Sequence, residues 1–251
     1  MELMADYINK NILAQSYVHV EPKWLSKVST RERLRQVDVI KSQITQYANE
    51  RMQFFLHDGV VITVDFQEGS IIAKITAYGS IMALLGGVGH ALEFTEKFPA
   101  YKEGVKTIVT DVGRLTDSIN SEVLFQTKSR EKKEIIRTEA RKGVFGSLEK
   151  INNKISEIER CLEKKDSRPS VVMNYLLDVN KYTMELFDNV QDVDDRALLK
   201  SALLDGVKSL RITRVRLILK TAVDRTLFDE LLKEKKRIIS NIEAVQVKAK
   251  P

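Results

Sequence analysis

The chain has 251 residues, enough for one large domain or two small ones. Hydrophobic residues make up 43% and charged residues 30%, with four prolines, which excludes a disordered chain and fits a helix-rich globular protein. The single cysteine, Cys161, excludes an internal disulfide, and the net charge of +6 is compatible with a solvated basic face or with acidic or phosphate-bearing partners.

The opening residues, Met1 to Asp6, lack the basic and apolar regions of a signal peptide, so cytoplasmic residence is the expectation. Leu3 to Val18 reads as a mildly amphipathic helix broken by Pro22. Ser29-Thr30-Arg31-Glu32 resembles a capping box, in which the Ser oxygen and the Glu carboxylate each satisfy an orphan N–H. A long helix follows, with Leu34, Val37, Ile40, Ile44, Tyr47 and Phe55 on one face, and His57-Asp58-Gly59 ends it.

Residues 60–78 read as a β-hairpin. Val60, Ile62, Val64 and Phe66 alternate with Val61, Thr63 and Asp65, and Ile71, Ala73, Ile75 and Ala77 alternate with Ile72, Lys74, Thr76 and Tyr78. A two-residue loop at Glu68-Gly69, with Gly69 at positive φ, would set Phe66 opposite Ile71, Val64 opposite Ala73 and Ile62 opposite Ile75. A slip by one residue would mix Lys74 and Thr76 into the apolar face. Val64, Phe66, Gly69, Ile71 and Ile75 are therefore the candidate interaction residues, because an open strand edge is a natural place for another chain to pair.

From Ile75 to Leu92 there are 18 residues without Asp, Glu, Lys or Arg. Gly79, Ala83, Gly87 and Ala91 recur every fourth position, a small-residue ridge if the segment is helical, and Leu85 adds apolar bulk. The segment reads as a buried helix covering the hairpin, with insertion into a bilayer as the alternative; its length is at the lower limit for a span.

After a break at Phe98-Pro99, Val105, Ile108, Val112, Leu115 and Ile119 follow heptad-like spacing, and Val144, Leu148, Ile151, Ile155, Ile158 and Leu162 repeat it. Between Lys128 and Lys142 lie seven Lys or Arg against three Glu. On a helix, Lys133, Arg137 and Arg141 would form a cationic stripe able to bind phosphates or anionic lipid, partly neutralised by Glu131, Glu134 and Glu139. No aromatic residue interleaves with these cations in sequence. Glu163 to Ser170, which contains Pro169, reads as a linker, giving residues 1–165 as a helical domain with the inserted hairpin and small-residue helix and 170–251 as a C-terminal helical region. Asp192 to Asp195 can cap a helix, Val207 to Lys220 reads as helix although Leu210 to Val215 also fits a strand, and Thr226 to Asp229 opens the last helix.

No catalytic constellation is visible. His19, His57 and His90 have no ligand partners at a recognised spacing, and Asp188, Asp192, Asp194 and Asp195 lack the EF-hand pattern. Gly86-Gly87-Val88-Gly89 has Leu92 where a dinucleotide fingerprint needs its third glycine. No cofactor, metal or small-molecule substrate is implied. The expected fold class is mainly α with one β-hairpin: a bundle of long amphipathic helices carrying an antiparallel hairpin at about 60–78. The expected function is a non-enzymatic interaction or assembly protein that binds a protein partner or itself as a homo-oligomer. The alternatives are a membrane-active effector that inserts the apolar 75–92 segment on oligomerisation, with a peripheral position at a membrane, and a nucleic-acid-binding protein using the basic stripe.

Overall fold

The computed structural model describes residues 11–56, 60–67, 70–86 and 98–247. Among these the chain is mainly α with some β: seven α-helices and a four-stranded antiparallel sheet. It forms two compact units, one from Met1–Leu84 and Thr107–Gly146, the other from Leu85–Lys106 and Ser147–Pro251.

The first unit is built on the strands β1 (Asn11–Val20), β2 (Val61–Gln67), β3 (Ile71–Gly79) and β4 (Ile135–Arg141), in spatial order β2-β3-β1-β4. Helix α1 (Thr30–Leu56) links β1 to β2; α2 (Ile81–Leu85) and α3 (Phe98–Gln126) lie between β3 and β4. Setting the short α2 aside, this β-α-β-β-α-β order, with each pair of parallel strands split by an antiparallel one, is the split βαβ connectivity.

The hairpin exists, but as one half of a larger sheet. Val64 faces Ile75 and Phe66 faces Ala73, a shift of two residues from the expected register. Gln67 and Ile72 are the last paired positions, so four residues lie between them where two were expected. A shift of two preserves which side chains share a face, so the apolar pattern alone does not distinguish the registers. Gly69 lies outside the described residues.

Leu3 to Val18 is not the expected helix over its described part: Asn11–Val20 is the strand β1, hydrogen-bonded to β3 on one side and β4 on the other. Nearly all its residues are buried or half-buried, so the polar-apolar alternation that marks a half-exposed strand is lost. One face of the sheet carries Val18 and Val20 of β1 with Ile71, Ala73, Ile75 and Ala77 of β3, all buried. It packs under α1, whose buried residues Ile40, Ile44, Ala48, Met52 and Leu56 recur every fourth position, the spacing of a single helix face. From α3, Asn120 reaches the same face, accepting a hydrogen bond from the Ser16 hydroxyl and donating to the Glu139 carbonyl at 3.1 Å. Tyr47 and Ser118 join α1 to α3 at 2.6 Å.

The second unit contains the start of α3, most of α4 (Gly143–Lys164), α5 (Pro169–Asn189), α6 (Val193–Ser209) and α7 (Ala222–Ala244). The Pro169 turn lies within this unit. Its seams are apolar: Leu148, Ile151, Ile155 and Ile158 of α4, Val172, Leu176 and Val179 of α5, and Leu231, Ile238 and Ile242 of α7 are all fully buried. Its helix ends are capped by the ordinary rules. Asp192 accepts from the Asp195 amide at 2.9 Å, and Arg196 and Lys200 donate to the terminal carbonyls of α5 and of the α7 end.

Two expectations fail here. Residues 207–220 are not one helix: α6 ends at Ser209, and an extended stretch with a single 3-10 turn at Arg214–Arg216 follows. Leu210 and Ile212 are buried while Arg211 and Thr213 are exposed, the period-two burial of extended chain. The last helix opens at Ala222, earlier than Thr226, because Thr221 and Asp224 form a reciprocal capping box.

Candidate functional site: the open edge and outer face of the sheet

The face of the sheet turned away from α1 and α3 is assembled from side chains far apart in sequence. Strand pairing sets Gln15 between Thr76 and Arg141, Tyr17 between Lys74 and Glu139, and His19 between Ile72 and Arg137. Polar contacts follow these rows. Arg141 Nη1 donates to Gln15 Oε1 at 2.9 Å, and Gln15 Nε2 donates to Thr76 Oγ1 at 3.1 Å. The Arg137 guanidinium lies 5.5 Å from the centre of the Tyr17 ring, a cation–π contact. His19 Nε2 is 3.0 Å from Ser70 Oγ.

β4 is the open edge of this arrangement. Among the described residues no strand pairs with its outer side. Thr138 and Ala140 are exposed on one face of the strand, and Arg137 and Arg141 on the other; Ile136, where the register to β1 shifts by one residue, is 52% exposed. The expected helical cationic stripe is therefore a strand. Positions that fall at i and i+4 on a helix also fall on one face of a strand, where Glu139 intervenes between the two arginines. It forms ion pairs with both Arg137 and Arg141. Burial pushes the Glu139 carboxyl up, but the hydrogen bonds and charges of the two arginines outweigh it and hold it below its ordinary value. Lys133 lies outside the strand, in the 3-10 turn before it, paired with Glu131 at 3.2 Å.

The foot of β4 is tied down by Glu134. Its carboxylate accepts from the backbone amides of Glu131 at 3.0 Å, Lys23 at 3.1 Å and Arg130 at 3.1 Å, and these hydrogen bonds lower its pKa against the opposing effect of burial. The segment after β1 and the start of β4 thus share one anchor.

The hairpin candidates divide. Ile71 and Ile75 are in the core, 2% and 0% exposed, and take no part in any surface. Val64 and Phe66 are half-buried on β2, the other edge strand. The small-residue ridge is not a single helix. Gly79 ends β3 opposite Asn11; Ala83 is exposed and Leu85 buried on the five-residue α2; Gly87 and Ala91 lie outside the described residues. The segment splits because its first five residues serve as a strand between β2 and β1.

A cleft of about 650 Å³ opens beside Trp24, Arg35, Val39, Gln126 and Lys128. The half-buried Trp24 indole donates to the Thr127 carbonyl at 2.8 Å. Among the described residues no group of three His, Cys, Asp or Glu side chains is placed to hold a metal ion. No described helix is long and apolar enough to cross a membrane.

No family model, curated protein or solved structure matches the chain.

Residues 135–141 form a strand where helical spacing predicts a helix. The strand's one legible signal is Ile135-Ile136 followed by alternating Arg137, Thr138, Glu139, Ala140 and Arg141, a polar period of two hidden by equally good helical spacing.

Proposed function

We propose that this is a non-enzymatic assembly protein that binds another protein chain by adding a strand to the edge of its sheet, chiefly at β4. The observation that carries this reading is the exposure of β4 on both faces, with Ile136 at 52%. An edge strand presents unpaired backbone donors and acceptors along its length, and natural edges are commonly guarded by Lys, Pro, a bulge or a covering element. The sequence Ile-Ile-Arg-Thr-Glu-Ala-Arg contains neither Lys nor Pro; its one irregularity is at Ile136, where the register to β1 shifts by one residue, and Arg137 to Arg141 pair regularly. Main-chain pairing supplies affinity in such a contact, and the alternating side chains supply selectivity. The hairpin edge β2 is a poorer candidate, because its apolar side chains are half-buried within the unit.

The test is a photoreactive phenylalanine analogue at position 136, irradiated in cells, with the same analogue at the 81% exposed Val215 as a control. The expected result is an adduct from position 136 to a protein chain identified by mass spectrometry, with none from 215. Absence of any position-136 adduct would overturn the reading.

A further inference from the structure

The residue order along β4 selects one occupant for its edge. We infer that the strand added to β4 is β4 of a second copy of this chain, paired antiparallel about a two-fold axis at Thr138. The inference rests on the assembly reading above and goes further by naming the partner and the register.

The argument begins with symmetry. Two identical chains that meet through the same patch do so about a two-fold axis, so each residue must face a suitable counterpart in its own sequence. β4 runs from Ile135 to Arg141, and Thr138 is its midpoint. An axis there places Arg137 opposite Glu139 of the second copy, and Glu139 opposite Arg137. Directly opposed residues share a face, so the two opposite-charge pairs form on the side carrying Tyr17 and Lys74. On the other side Thr138 meets Thr138. The ladder to β1 is regular from Arg137 to Arg141, so the pairs at 137, 138 and 139 lie within its regular part, and the exposed Ile136, at which the register to β1 shifts, lies at the end of the seam beside Ala140 of the second copy.

Neighbouring registers do worse. An axis at Glu139 sets two carboxylates face to face, and an axis at Arg137 sets two guanidinium groups face to face; like charges directly opposite destabilise a strand pair. An axis at Ala140 pairs Arg141 with Glu139 but carries Ile136 past the end of the strand, opposite Val144 in α4. β2 offers no such complementarity, since Asp65 is its one charged residue.

Two features of the fold assist. Glu139 already sits between Arg137 and Arg141, so the side chains that would cross the seam are held on the correct face. Glu134 anchors the foot of β4, which presents the strand as a fixed edge.

The experiment is disulfide trapping combined with charge reversal in the full chain. Thr138→Cys places a thiol on the axis, where the two copies' β-carbons come within bonding range of a disulfide. Under mild oxidation, Thr138→Cys should give a covalent dimer. The wild-type chain, whose Cys161 is buried, should not, and nor should Val64→Cys on the other edge. By sedimentation, Arg137→Glu should weaken the dimer by about tenfold or more, because two attractive pairs become repulsive. Adding Glu139→Arg to the same chain should restore it. Circular dichroism of each variant reports whether it is folded. A folded Thr138→Cys chain that stays monomeric, or a dimer indifferent to the charge reversal, would overturn the inference. If that happens while position 136 still cross-links to another protein, only the second-copy identity fails. If position 136 cross-links to nothing, the edge reading fails with it.

Discussion

Three backbone amides converge on one carboxylate, that of Glu134, which is only 6% exposed. A carboxyl whose pKa is lowered on folding stabilises the folded state fully above its ordinary value of 4.5, and that contribution disappears as the pH falls through the lower folded value. Glu134→Gln should therefore lower the urea midpoint at neutral pH, and the gap from wild type should narrow at about pH 3. A gap that stays constant across this range would mean that the charge of Glu134 has no part in anchoring β4. Asp224 follows the same logic at the start of α7: hydrogen bonds from the Thr221 amide and hydroxyl hold its pKa down. That box was missed because the apolar residues after Thr226 drew the boundary inward, whereas the Thr-x-x-Asp pattern was legible at Thr221. The Asp192 cap was read correctly, because a short acidic turn before an apolar run has few other uses.

Where one element passes into the next, Gly143 is the tightest point. It has φ +51° and begins α4 directly after β4; a β-carbon there would stand 2.2 Å from the Ile12 carbonyl oxygen and 2.8 Å from the Leu13 carbonyl. Those atoms belong to β1 backbone and cannot swing aside. Gly143→Ala should destabilise the first unit by about 2 kcal/mol or more, read from the denaturant midpoint, since it combines left-handed strain with overlap on main chain. A variant as stable as wild type would show that β1 and this turn are looser than the contact implies. The elements themselves were unevenly legible. Helix faces such as Val112, Leu115 and Ile119 follow from spacing alone because one side is buried and the other wet. β1 defeats that reasoning, being covered on both faces, and β4 defeats it in the opposite way, being exposed on both. With no contrast between faces there is no periodicity to detect.

Across the whole molecule the net charge of +6 says less than its placement. Arg137 and Arg141 share Glu139, and Lys133 shares Glu131 with Lys23, so the basic region is partly neutralised from within. Glu139→Gln should release both arginines beside Tyr17, and the protein should then leave a heparin column at higher salt than wild type, as expected when more cations contact a polyanion. Unchanged elution would mean that the arginines were already available and would return weight to the nucleic-acid reading. The sequence by itself determined the mainly helical class, the existence and facing of the hairpin, and the apolar seams. Each of these is a local pattern repeated at a helix or strand period. Only the tertiary structure decided that the hairpin is half of a four-stranded sheet, that β1 lies at its centre, and that Arg137 and Arg141 stand on an open edge beside an aromatic ring contributed by β1. Those facts depend on hydrogen bonds between segments about 120 residues apart, such as Gln15 to Arg141 across 126 positions. Pairing partners so distant leave no periodic trace in either segment.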